Sequence, residues 1–231
     1  LRRYAQGNLV VLPKALAWDF LLFCQRNPKA CPLLEVADAG ERSFSQFAPG
    51  SEFAQDIPRY RIYRNGELTE ETTDVVRYFE ERSDLVSFLI GCSFSFESAL
   101  LDADIPVRQI EEGVNVPMYN TNIPCTPAGV FSGNMVVSMR PIPHAQVLRG
   151  GHHGGHARVH GAPVQIGTPE AIGITDLATL ITAMRDDSSG RNTGFLALRG
   201  HAPGRGHALE AGILHHARAG YMFVTDVKTH C

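Results

Sequence analysis

The apolar positions change period several times along the chain. Leu9 to Leu12 form a short continuous run ending at Pro13, which predicts a strand leading into the first turn of a helix. Leu16, Phe20 and Phe23, with Ala17 and Leu21 beside them, follow helical spacing, and Pro28 sets the stop near Asn27. Residues 37–58 are rich in Pro, Gly and Ser and predict a loop wrapping the surface. "RYRIYRNGEL" alternates into Asn65-Gly66, a strong hairpin signal. "DLVSFLIGCSFSFESALL", from Asp84 to Leu101, predicts a buried strand, a Gly-Cys-Ser turn and a helix capped by Ser93 or Ser95, with Glu97 in its first turn.

Residues 105–143 predict a β-rich unit: "IPVRQI", a loop "VPMYNTNIPCTPAG", then the strand "MVVSMRPIP". "VHGAPVQIG" is a further short strand, and Pro169 opens a short helix. From 180 to 219 no apolar period is sustained and Arg, Gly, His and Ala crowd together, so this stretch is expected to be irregular. "YMFVTDV" restores strand character, and no internal repeat is present. The pattern describes a mixed α/β (α+β) fold with strand–helix units and a second β-rich subdomain, 105–165, inside one domain over 1–231. The chain opens at Leu1 directly on structured pattern, and is expected to lack its natural N-terminus.

Composition narrows the function classes. A net charge of −3 gives no reason to expect nucleic acid or an anionic membrane as partner, and no apolar run approaches the ~20 residues a membrane-spanning helix needs. The five cysteines are an odd number without CxxC-like spacing, which favours reduced thiols in the cytoplasm over a structural zinc site. All ten histidines lie from His144 onward, four of them in "RGGHHGGHARVHG" between Arg149 and Gly161. That tract admits three readings: a metal site, a flexible glycine-rich loop, or sequence out of frame. Glycine neighbours work against rigidly held ligands, so no metal is expected there.

Several segments together resemble the D-glutamate cyclase family of bacterial hydro-lyases: "GNLVVLPKALAWDFLLFCQRNPKACPLLEV", "FLIGCSFSFESALL", "NVPMYNTNIPC", "VVSMRPIP", "VHGAPVQIG" and "GYMFVTDV", in family order. Between the last two the family pattern departs. A Pro-Val-Phe-Trp-x-Cys-Gly-Val-Thr-Pro-Gln stretch and an Ile-Thr-His-Ala-Pro-Gly stretch are replaced by "TGFLALRGHAPG" and "GILHHARAG". Suitable synonymous codons for Phe195 to Gly204, read one nucleotide later, give Phe-Trp-Pro-Cys-Gly-Val-Thr-Pro-Gln. Residues 149–157 and 180–219 are therefore expected to be out-of-frame product of a family gene, a reading that the coding DNA would decide.

The resemblance implies dehydration of D-glutamate to 5-oxo-D-proline. Such a step needs a base for the amine, donors for the tetrahedral oxyanion, an acid for the departing hydroxyl and an anchor for the carboxylate. Holding the substrate folded supplies proximity, and no organic cofactor is demanded. Glu97, His160 and Cys92 are the candidate catalytic residues; Ser93, Ser95, Tyr119, Asn122 and Arg140 are the candidate substrate-binding residues. Glu97 and His160 can exchange protons, and a turn at Gly91 and Cys92 ahead of a helix can present N–H groups to an anion. Arg140 offers a bidentate clamp for a carboxylate. Each has a plainer reading: a helix-dipole carboxylate, a backbone-bonded histidine, a turn at Asn122, an inter-strand ion pair at Arg140. The expected partner is a small carboxylate, with a homo-oligomer left open. The rivals are a member that binds carboxylate without turnover and a His-rich metal-binding protein.

Overall fold

The computed structural model describes residues 4–65, 67–92, 97–114, 116–143, 146, 163–177, 193–199, 212–214 and 223–228. Strand β1 (Tyr4–Pro13) lies at the centre of the larger sheet. On one side it pairs with β5 (Leu85–Gly91) in the register Gly7↔Gly91 through Pro13↔Leu85. Its other side is shared end to end by β11 (Phe223–Lys228) at Tyr4–Gly7 and β10 (Gly212–Leu214) at Val10–Val11. β2 (Leu33–Ala37) pairs beyond β5, while β3 (Tyr60–Arg64) and β4 (Glu67–Thr72) extend the sheet from β10. Every pairing among these strands is antiparallel.

The apolar run in β1 is continuous because both faces of the strand are covered. Val10 and Leu12 pack with Phe20, Phe23 and Cys24 of α1 (Lys14–Arg26), whereas Leu9 and Val11 pack against Phe44, Phe53, Ile57 and Tyr60. This corrects the expectation for residues 37–58. The segment has no regular element beyond the end of β2, but Phe44, Phe53, Ala54 and Ile57 are fully buried, so it closes one face of the sheet. Buried irregular backbone must find hydrogen-bond partners. The Glu35 carboxylate accepts from the backbone N–H of Gln46 (3.0 Å) and Phe47 (2.9 Å), and the Tyr60 hydroxyl donates to the Phe53 carbonyl (2.6 Å). The short helix α2 (Val76–Glu81) adds Tyr78 and Phe79 to the same core.

The hairpin forms as its sequence predicts, with Arg64 opposite Glu67 and Asn65 at φ +50°. The helices α3 (Glu97–Asp102) and α4 (Arg108–Glu111) then lead into a second sheet of order β6-β7-β9-β8. Its strands are β6 (Met118–Pro124), β7 (Asn134–Pro143), β8 (Gln165–Ile166) and β9 (Thr193–Arg199). Three expectations change here. "IPVRQI" contains a helical turn, since the N–H groups of Ile110 and Glu111 return to the Val107 carbonyl (2.9 and 3.2 Å). The expected loop "VPMYNTNIPC" contains strand β6, whose prolines sit at its ends, where a missing N–H is tolerated. The stretch expected to be irregular contributes β9 and β10. A 3₁₀ turn at Pro169–Ile172 matches the predicted helix start. Among the described residues no helix is long and apolar enough to cross a membrane.

One side chain ties the first helix to the second sheet. Asn27 ends α1, and its Nδ2 donates to the carbonyls of Phe23 (2.8 Å) and Thr126 (2.8 Å) while its Oδ1 accepts from the Thr126 N–H (2.8 Å). Removing it strands a backbone donor and carbonyls near the β6–β7 connection. Asn27→Ala is expected to lower stability by about 1–3 kcal/mol, read as a shifted urea midpoint at unchanged slope. An unmoved midpoint would show that water replaces all three bonds.

Candidate active site

Strand β7 is buried along most of its length, and its alternation sorts two sets of side chains. Val137 and Met139 pack with Tyr119, Ile172 and Ile174 on one face. Ser138, Arg140 and Ile142 belong to the other. There Ile142 packs with Leu100, Ile105 and Val107 from the α3–α4 segment. Leu100 is three residues after Glu97 in α3, so the two share a side of that short helix. With Leu100 seated on Ile142, Glu97 is carried to Arg140, two residues back along the strand.

The result is a buried polar cluster. Arg140 is 0% exposed, and its Nη2 donates to Glu97 Oε1 at 2.8 Å while its Nη1 donates to the Ser138 hydroxyl. Gln109, 2% exposed on α4, donates from Nε2 to the same Glu97 oxygen at 2.6 Å. Such charge-assisted bonds are short and strong, and they offset part of the large cost of taking both ions out of water. Glu97 Oε2 takes no hydrogen bond among the described residues, and the Glu97 side chain keeps 11% exposure. One carboxylate oxygen is thus held twice and the other takes no hydrogen bond among the described residues, the condition for a group that exchanges a proton with a ligand.

The remaining candidates fall elsewhere. Cys92 is buried just past the end of β5, and its backbone N–H donates to the Gln6 carbonyl (3.0 Å); that of Gly91 donates to the Pro32 carbonyl (2.8 Å). Those two N–H groups are spent on neighbouring backbone, and the rest of the expected anion-binding turn, 93–96, lies outside the described residues. Ser93, Ser95 and His160, like every other histidine, lie outside the described residues. Tyr119 pairs with Val137 and occupies the face of the sheet opposite Arg140, its hydroxyl donating to the Leu177 carbonyl at 3.0 Å. Asn122 is exposed and lies against Gly173. Alternation along β6 puts Tyr119 on the face away from the Glu97–Arg140 cluster, whereas Asn122 lies past the register shift that follows Asn120, against Gly173. Arg140 is fully buried and donates to both Glu97 and Ser138.

Cys125, on the same Pro-bounded stretch, joins Cys24 and Cys31 in the core beneath α1. Burial, with Cys31 beside it, pushes the Cys125 thiol up to about 11, and a hydrogen bond with Cys24, then burial, raises Cys31 well above the usual thiol range. These are protonated, space-filling thiols rather than nucleophiles. Among the described residues no three His, Cys, Asp or Glu side chains converge as metal ligands. The reading from pattern missed Gln109 and Ser138. Two polar residues at alternate positions of an otherwise apolar strand, Ser138 and Arg140, are the signal for a buried polar face; Gln109 carries none in a segment whose pattern predicts β.

Comparison with known proteins agrees with the resemblance. A family model described as D-glutamate cyclase matches residues 86–182. The chain is 59% identical over 176 residues to a protein of Clostridium beijerinckii named "Putative hydro-lyase", covering 76% of this chain and 66% of the relative. A similarly named protein of Bacillus velezensis is 60% identical over 175 residues, with 75% and 66% covered. "Putative hydro-lyase YcsI" of Bacillus subtilis is 57% identical over 175 residues, with 75% and 67% covered. The chain therefore spans about two thirds of the length of these relatives. The family match stops at residue 182, close to where the composition changes.

Proposed function

The chain belongs to the D-glutamate cyclase family, and from that premise we propose that it removes water from D-glutamate to close 5-oxo-D-proline. The observation that carries the reading is the Glu97 carboxylate, buried against Arg140 with one oxygen held and the other without a hydrogen bond among the described residues. In the proposed step, Glu97 Oε2 takes a proton from the substrate ammonium as the nitrogen attacks the side-chain carboxyl carbon. The new C–N bond leaves a tetrahedral carbon. Its C–O bond then breaks, and the hydroxyl departs as water with the proton that Glu97 returns. The nitrogen passes its second proton through solvent to that same oxygen as the lactam forms, so both protons that the ammonium loses leave in the water. Arg140 keeps the carboxylate aimed, and it stays buried throughout. His160, Cys92, Ser93, Ser95, Tyr119 and Asn122 remain candidates for the oxyanion and carboxylate contacts, tested one at a time by alanine substitution.

Incubating the full chain with D-glutamate is expected to yield 5-oxoproline by chromatography, with the Clostridium beijerinckii relative assayed in parallel. Product from the relative and none from this chain would overturn the reading. A second reading, carboxylate binding without turnover, draws support from the family match stopping at residue 182 while the chain continues to 231. Heat of D-glutamate binding without product would favour it.

A further inference from the structure

Gln109 has a second polar atom that the Glu97 contact does not use. Its carboxamide orientation is set by charge: Nε2 faces the ionised carboxylate, since the opposite flip would bring oxygen against oxygen. Oε1 is thereby turned to another direction. That oxygen is fully buried and has no hydrogen-bond partner among the described residues. A buried amide oxygen left unmet is unfavourable, and groups of this kind in native proteins mark a place where a donor arrives. The Glu97 carboxylate that Nε2 meets has a second oxygen, Oε2, also an acceptor when ionised. Two acceptors, one charged and one neutral, joined through a single hydrogen bond, call for a ligand group that donates more than once and carries positive charge. An ammonium meets that description; a carboxylate or carbonyl would leave both acceptors worse off.

We propose that Gln109 Oε1 and Glu97 Oε2 together bind the amine nitrogen of the substrate, which makes Gln109 the residue that selects an amino dicarboxylate over the same dicarboxylate without its amine. The inference rests on the D-glutamate reading and deepens it. Gln109 acts twice: its Nε2 fixes the carboxylate that receives the proton, and its Oε1 holds the nitrogen that loses it. Attack then begins from a nitrogen aimed by two acceptors rather than one.

Calorimetry with D-glutamate and with glutarate, on the wild type and on Gln109→Leu and Gln109→Glu, tests this. In the wild type D-glutamate is expected to bind more tightly than glutarate. Gln109→Leu is expected to weaken D-glutamate by about 10-fold or more while leaving glutarate nearly unchanged, so the preference for the amine collapses. Gln109→Glu keeps an acceptor, and because two touching carboxyls share one proton, that proton replaces the lost N–H toward Glu97, so the variant is expected to keep that preference. It also guards against a leucine variant that merely misfolds, because each preference is a ratio measured within one protein. Wild type that forms 5-oxoproline and a Gln109→Leu variant with unchanged preference would overturn the role of Gln109 alone, as would a Gln109→Glu variant that loses the preference. Wild type that neither binds nor turns over D-glutamate would overturn the parent reading and this inference with it.

Discussion

Arg140→Met is expected to lower the unfolding free energy by about 3–5 kcal/mol. The arginine is 0% exposed, and its partner Glu97 is nearly so. Methionine fills much of the aliphatic volume, so a cavity is a minor part of the loss. The main part is electrostatic. Glu97 Oε1 retains only the Gln109 donor, and its charge is left in a place where water solvates it poorly. Arg140→Lys keeps the charge but not the fork that reaches Glu97 and Ser138 together, so it is expected to fall between methionine and wild type. The decisive comparison is the double variant with Glu97→Gln. Either single change strands one buried charge, and the pair of changes strands none. The urea-derived loss in the double variant is expected to be smaller than the sum of the two single losses by more than about 1 kcal/mol. Simple additivity would mean that the two side chains do not stabilise each other.

Much of the larger sheet is legible from pattern because its determinants are local. A continuous apolar run in Leu9–Leu12 and in Leu85–Ile90 requires cover on both faces, and Phe20 and Phe23 at helical spacing supply one of the two covers. The other cover is not legible. Phe44, Phe53 and Ile57 have neither strand nor helix period, and their burial depends on Glu35 and Tyr60 satisfying an irregular backbone from a distance in sequence. Strand β6 was obscured by the prolines at 117 and 124, which read as loop punctuation while serving as strand ends.

The site shows the same division. Glu97 and Arg140 are individually readable, one as a carboxylate at a helix start and the other as a cation in an apolar strand. Their pairing depends on Leu100 settling over Ile142, a tertiary contact with no trace in either segment alone. Tyr119 groups with them only while its segment reads as a loop, which has no faces, whereas a strand assigns alternate residues to opposite sides. The histidines and the serines of the Gly-Cys-Ser turn lie outside the described residues, so the frame question over 149–157 and 180–219 belongs to the coding DNA.

Glu97→Gln is expected to reduce kcat for 5-oxoproline formation by about 10²- to 10⁴-fold, the range a positioned proton-transfer group supplies. The substitution is close to isosteric. Glutamine at 97 can still accept from Arg140 and Gln109 through its amide oxygen, so the geometry of the cluster is largely kept. What disappears is the ability to take a proton from the ammonium and return it to the departing hydroxyl. Some stability is lost as well, since the buried Arg140–Glu97 ion pair is gone, and the assay belongs well below the lowered melting temperature of the variant. Glutarate, which brings no proton to exchange, separates the two effects: its affinity is expected to change little while turnover collapses. Equal losses in glutarate binding and in kcat would point to a disordered cluster. A variant that retains kcat within about tenfold of wild type would remove Glu97 from the chemistry, because a general acid–base group contributes more than that. Arg140 would then be left as the counter-ion of a purely structural carboxylate, and the search for the base would move to His160.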